Sequence, residues 1–157
     1  VLDRHKHYGV LYPLQTFRKR KPLSITNINF AIESSDNYTL DTLKFICETI
    51  HQNYVIVESE QRLALHTTGV LVSNFPNFLY IIAYNLLDKY NLSHEIIKPL
   101  IRETTDRLEQ YHPSEVQTGP AVRGDSEIIK KHLDFLQNVS ADAAEIYEIL
   151  SKAIIKY

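Results

Sequence analysis

The 157-residue sequence is short of several things that usually announce a function. It has one cysteine, four glycines and no methionine. A single cysteine excludes an internal disulfide and any cysteine-rich metal site. Cys47 falls in the apolar series Leu43, Ile46, Cys47, Ile50, so it reads as a small core residue, and a reducing, cytoplasmic compartment fits. No methionine occurs and the chain starts at Val1, so we expect a longer N-terminal region, missing or processed away, that holds part of the function. Neither sign of charge dominates: 17 basic and 19 acidic residues leave a net charge of −2, which argues against a dedicated nucleic-acid binder. No signal-peptide pattern opens the chain. There is no Gly-x-Gly-x-x-Gly, no phosphate-binding loop and no Gly-x-Ser-x-Gly. The length suits one domain, or one domain and a fragment of another.

What glycine there is stands among polar residues. Gly9 lies in His7-Tyr8-Gly9-Val10-Leu11-Tyr12-Pro13, Gly69 in His66-Thr67-Thr68-Gly69, and Gly119 and Gly124 bracket Pro120-Ala121-Val122-Arg123. Glycine serves where the backbone needs positive φ or where another group comes close, so each of the four is expected to mark a specific backbone geometry.

The first part reads as mixed α/β. Residues 10–17 form an extended apolar segment interrupted by Pro13, which suits an edge or irregular strand. Ile28, Phe30 and Ile32 alternate like a half-buried strand, and Leu40, Leu43, Cys47 and Ile50 follow helical spacing. Tyr54-Val55-Ile56-Val57 is a continuous apolar run of the kind found in a buried parallel strand. This is a βαβ unit, and residues 1–58 look like the far half of a larger sheet. Residues 59–157 read as helical. Ser59 is the expected cap of a helix reaching about Tyr90, kinked at Pro76. Its middle, residues 70–87, is apolar nearly all round. Ser73, Asn74, Pro76, Asn77 and Asn85 argue against a membrane span, so a core or a dimer interface is expected to cover it. Ser93, Asp125 and Ser140 are expected caps of three further helices. The first starts nearer Ile97 because of Pro99. The second turns Ile129, His132, Leu133 and Leu136 inward. The third does so with Ala143, Tyr147, Leu150, Ile154 and Tyr157. Residues 111–124 are expected to form a loop. The fold class is therefore mainly α with a small α/β part.

Two constellations carry candidate chemistry. His66, Ser73 and Asn74 share one face of the long helix, with Arg62 and Thr67 beside them. Polar groups on an apolar helix must find partners, so the set is either an internal hydrogen-bond network or a site in which His66 is the acid–base group. The loop of residues 117–125 runs through Gly-Pro and Arg-Gly-Asp into a helix start, an arrangement suited to an anion; the alternative is an ordinary capped helix after a turn. Arg18-Lys19-Arg20-Lys21 reads as a solvated loop, and His5-x-His7 lacks the further ligands a metal needs.

Taken in order, several stretches resemble the Rossmann-like NADP oxidoreductases whose C-terminal half is a domain of unknown function. That family is related to pyrroline-5-carboxylate reductase, ketopantoate reductase and 6-phosphogluconate dehydrogenase. The matching residues are 9–17; Gln61-Arg62 with His66 and Ser73-Asn74-Phe75; Pro99-Leu100-Ile101 with Glu103-Thr104; and residues 117–125 with His132-Leu133. Thr67-Thr68-Gly69 departs from the small alanines usual there. The resemblance implies a 6-phosphogluconate-dehydrogenase-like C-terminal helical bundle. It also implies an absent N-terminal domain that binds most of the NADP, a homodimer, and a site in the cleft between domains. On this reading His66 transfers a proton, Ser73 and Asn74 orient the substrate or the ring, and Gln117, Thr118, Arg123 and Asp125 bind a small anionic substrate with a C=O or C=N bond. His132 is the second candidate for the proton, and no metal, nucleic acid or membrane is implied. The competing reading is a non-catalytic helical dimerisation or ligand-sensing module.

Overall fold

A computed structural model describes residues 4–17 and 28–157. The basic run Arg18-Lys19-Arg20-Lys21 lies outside the described residues. The chain divides into two compact units, Val1–Leu79 and Tyr80–Tyr157. The sequence changes from strand to helix at residue 58, but the unit boundary falls later, inside the long helix: residues 59–79 belong to the unit of the strands and residues from 80 on to the other.

In the first unit, β1 (Gly9–Pro13), β2 (Asn29–Ser34) and β3 (Asn53–Ile56) form a sheet in the order β1-β2-β3. β2 and β3 are parallel and flank α1 (Asn37–Thr49), which is the expected βαβ unit. β1 is antiparallel to β2, with Tyr12 opposite Ala31 and Val10 opposite Glu33. The ladder bonds at its ends run from Leu14 N to Asn29 O and from Ser35 N to Tyr8 O, so even-numbered residues of β1 face β2. Pro13 is odd-numbered and its nitrogen points off the free edge, where no ladder donor is lost. Alternation sends Ile28, Phe30 and Ile32 to the face covered by Leu43 and Cys47 of α1, with Leu11 packed alongside. Ile32 and Cys47 are completely buried, as read for Cys47.

The apolar run at 54–57 is corrected by the structure. Val55 and Ile56 are about half exposed because β3 is an edge strand; only Val57 is buried, its N–H donated to Ile32 O. Gly9 meets its expectation by close approach. A Cβ there would stand 2.7 Å from Glu33 O and 2.9 Å from Leu43 Cδ1. Asp36 caps α1, accepting from Thr39 N at 3.0 Å.

The long helix consists of α2 (Ser59–Gly69), a π turn (Val70–Asn74) and α3 (Phe75–Lys89). Its cap is Glu58, one residue before the expected Ser59, in a capping box with Gln61. Pro76 would clash with a carbonyl one turn back. The turn before it is wide: Phe75 N–H reaches back five residues to Val70 O. Its length and composition would let it cross a membrane, yet none of the apolar middle is buried in the chain. Leu71, Val72, Phe75 and Phe78 are all more than half exposed. The described residues do not supply the expected burial; a helix apolar round its circumference needs neighbours on every side.

In the second unit, a 3₁₀ turn (His94–Ile97) capped by Ser93 leads into α4 (Lys98–Asp106), with Pro99 in its first turn. A second 3₁₀ turn (Arg107–Glu109) follows. The expected loop contains a short helix, α5 (Pro113–Val116), capped by His112. α6 (Ser126–Gln137) and α7 (Ala141–Lys156) pack together, capped by Asp125 and Ser140 as expected. The inward face of α7 differs from its reading: Ala143, Ala144 and Ser151 are buried with Tyr147 and Ile154 half-buried, whereas Leu150 and Tyr157 are exposed. The true steps are 4, 4 and 3, closer to the 3.6-residue period than the 4, 3, 4, 3 stripe.

Candidate functional site

The face of the sheet opposite α1 carries α2. Tyr12 sits between core-facing Leu11 and Pro13, and the Tyr12 hydroxyl lies 2.9 Å from His66 Nδ1. Four residues on, Thr16 Oγ1 lies 3.1 Å from Ser73 Oγ. The chain leaving β1 thus meets the long helix twice, once from the strand at α2 and once from the bend after it at the π turn. Between them lies a pocket of about 470 Å³. Its polar wall is Tyr12, Gln15, Thr16, His66, Ser73 and Asn74, and Leu14, Val70 and Val72 supply the apolar part. None of these described residues has a formal charge while His66 is neutral. His66, Ser73 and Asn74, expected on one helix face, all line this pocket. The sequence reading missed Tyr12, Gln15 and Thr16 as lining, although all three stand in the 9–17 motif; strand alternation from Leu11 would have placed Tyr12.

Arg62 and Thr67 do other work. Arg62 Nε donates to Glu33 Oε2 at 2.6 Å, and Ser59 Oγ donates to the other carboxylate oxygen. The Ser59 hydrogen bond first, and Arg62 next, hold the Glu33 carboxyl below its ordinary range. This ties the end of β2 to the first turns of α2. Thr67 Oγ1 donates to Leu63 O within the helix. Gly69 departs from its expectation: it is helical, and an added Cβ would meet only Leu14 Cδ1 at an ordinary 3.6 Å.

The loop residues lie in the second unit. Gly119 and Gly124 have φ of +115° and +66°, as their sequence context required. Gln117 Nε2 donates to Thr118 O at 3.2 Å. Thr118 borders a hollow that also holds Glu103, Asp106, Glu115 and Arg107, with Arg107 paired to Glu103 at 2.8 Å. Asp125 is the cap of α6, its carboxylate accepting from Ile128 N at 3.1 Å. The α6 start thus has a negative group of its own, which disfavours Asp125 and Thr118 as contacts for an anion. Arg123 is exposed. His132 is also corrected: it is exposed rather than inward, with its Nδ1 2.8 Å from Tyr147 Oη. Among the described residues no group of three or more potential ligands could hold a metal. His7 instead pairs with Asp36 at 3.1 Å.

Strands on one side and a long helix with a polar, histidine-bearing pocket on the other define a mainly α domain with a small α/β part. The chain belongs to the family described as a domain of unknown function, DUF2520, whose model matches residues 28–154. Its structure is similar to the crystal structure of "putative NADP oxidoreductase BF3122" from Bacteroides fragilis, with 39% identity and a TM-score of 0.89 over 96% of this chain and 58% of that one. It also shares its fold with protein TM1727 from Thermotoga maritima, at 24% identity and a TM-score of 0.73, over 94% of this chain and 60% of that one. The chain thus spans less than two thirds of the length of either. No curated protein matches it.

Proposed function

We propose that this chain is the C-terminal portion of a cytoplasmic, NADP-dependent oxidoreductase that acts on the C=O or C=N bond of a small substrate. The observation that carries the proposal is a titratable histidine tethered in the wall of a pocket otherwise lined by hydroxyl, amide and aliphatic groups. The name of the Bacteroides fragilis protein supports the class of chemistry. His66 transfers the proton; Ser73 and Asn74 orient the reacting group. Gln15 and Asn74 would suit a carboxamide, and Thr16 and Ser73 ribose hydroxyls, so the pocket fits the nicotinamide end of the cofactor better than its anionic phosphates. The phosphates belong to a dinucleotide-binding domain outside this sequence. Gln117 and Arg123 contribute to holding an anionic group of the substrate, and Arg123 is the one of the two with the charge to do so.

The test is an NADPH titration of the full-length protein by cofactor fluorescence, followed by turnover against small ketones, imines and their reduced forms. No binding at millimolar NADPH would sink the proposal. The competing dimerisation or ligand-sensing module has its own observation, the exposed apolar residues of the long helix. It predicts a stable dimer that binds ligand without oxidising or reducing NADP.

A further inference from the structure

We infer that Tyr12 is a positioning residue for His66: its hydroxyl holds the imidazole in the Nε2–H form and leaves that N–H as the donor toward a ligand oxygen in the pocket. The inference rests on the functional reading above. The Tyr12 and His66 rings meet edge to face, centroids 5.9 Å apart at 69°, with the hydroxyl 2.9 Å from Nδ1. Either atom could hold the shared proton, and acidity decides. A phenol ionises near pH ~10, whereas a neutral imidazole holds its N–H far more tightly, so the oxygen donates and Nδ1 accepts. A neutral imidazole carries one N–H, which is then on Nε2.

Both partners are braced by the backbone. Tyr12 is an even-numbered residue of β1, fixed opposite Ala31 and restricted to extended geometry by Pro13. Its face of the sheet is the one toward α2, since Leu11 turns to the core beneath α1. His66 stands one turn beyond Arg62, which Glu33 of β2 grips. Two neighbouring strands thus hold the same helix through different residues, which is the support a site needs to keep a side chain in one geometry. The protons balance along this pair. As a ligand oxygen takes the Nε2 proton, Nδ1 takes the Tyr12 proton and leaves a phenolate; a proton from water restores the hydroxyl and the hydroxide passes to the solvent, so the ring is neutral before and after, with its N–H then on Nδ1.

The test is a long-range ¹H–¹⁵N spectrum of the histidine side chains in the full-length protein, recorded where imidazole is neutral, with His66 assigned through His66→Gln. The expected spectrum shows Nδ1 as a hydrogen-bonded acceptor and Nε2 protonated. In Tyr12→Phe, which keeps the ring contact, the Nδ1 resonance should move and a larger share of Nδ1–H should appear, without loss of the folded circular-dichroism signal. A tyrosine that only packs would leave both nitrogens where they were. Nδ1 protonated in the wild-type protein, or a Tyr12→Phe spectrum unchanged at His66, overturns the inference. If Tyr12→Phe does not fold, the wild-type spectrum alone decides. No cofactor or substrate enters the measurement, so it can fail while NADPH binding stands, and the reverse.

Discussion

A histidine on an apolar helix has to find partners, and His66 finds one in Tyr12 while keeping its other nitrogen unclaimed by the described residues. That division of labour sets the mutational expectation. With NADPH and a substrate that turns over, His66→Ala in the full-length protein should lower the rate by about 10²–10⁴-fold, and NADPH affinity should change little. Arg123→Ala should raise KM and leave kcat nearly alone, as expected of a group that binds substrate and transition state equally. His132→Ala is the control, because its ring is occupied with Tyr147 on the surface of the second unit. Should His132→Ala abolish turnover while His66→Ala spares it, the two roles must be exchanged. Asp36 gives a separate, pH-dependent expectation. Hydrogen bonds from Ser35 first, and then from the Thr39 backbone, hold its carboxyl well below the ordinary range. A carboxyl whose folded pKa lies below its unfolded value of about 3.9 adds stability above that value and loses it as pH falls through the folded pKa. Melting temperature should therefore drop below about pH 4, and the drop should be shallower in Asp36→Asn, which starts from a less stable α1.

At the level of elements, Gly9 and Gly69 make opposite predictions from the same sequence signal. Gly9→Ala drives a methyl group into the Glu33 carbonyl and Leu43, so it should cost about 1–3 kcal/mol by overpacking. Gly69→Ala meets only Leu14 at an ordinary contact distance of 3.6 Å and replaces the poorest ordinary helix former with the best, a gain of about 1 kcal/mol. Thermal unfolding of the two variants checks both, and a Gly69→Ala protein that melts lower than wild type would mean that another chain or domain occupies the space around it. The contrast also shows what was legible in the sequence. Alternation at Ile28, Phe30 and Ile32, the caps Asp125 and Ser140, and the polar face of His66, Ser73 and Asn74 are local signals, and they were readable. The exposure of Val55 and Ile56 was not, because an apolar run does not say whether its strand lies at the edge. Tyr12 and Thr16 were hidden for a similar reason. Their role depends on which helix settles on the far face of the sheet, 54 and 57 residues further along.

At the scale of the whole molecule, the unsolved quantity is what covers the long helix. Leu71, Phe75 and Phe78 step by 4 and 3 along one stripe, with Val72 beside them, and each is more than half exposed. Contiguous apolar stripes of this size mark interaction surfaces. A second copy of the chain fits best, because polar His66 and Ser73 on the same helix are already bonded to Tyr12 of β1 and to Thr16 just beyond it. A lipid-facing helix would have no sheet strapped along it. Fully burying a large apolar side chain is worth about 1.5–3 kcal/mol, and association costs about 4–15 kcal/mol. Four such residues from each protomer are therefore enough to begin an interface, and the remaining helices must complete an area of about 1,200–2,000 Å². Light scattering of the full-length protein should report a dimer at micromolar concentration, and Phe75→Asp with Phe78→Asp should shift it to monomer while circular dichroism retains the helical signal. A wild-type protein that scatters as a monomer throughout that range would remove the second copy as the cover. Should the double variant lose its helices instead, Val72→Ser, which changes an exposed side chain outside the stripe's centre, should weaken the dimer without unfolding it.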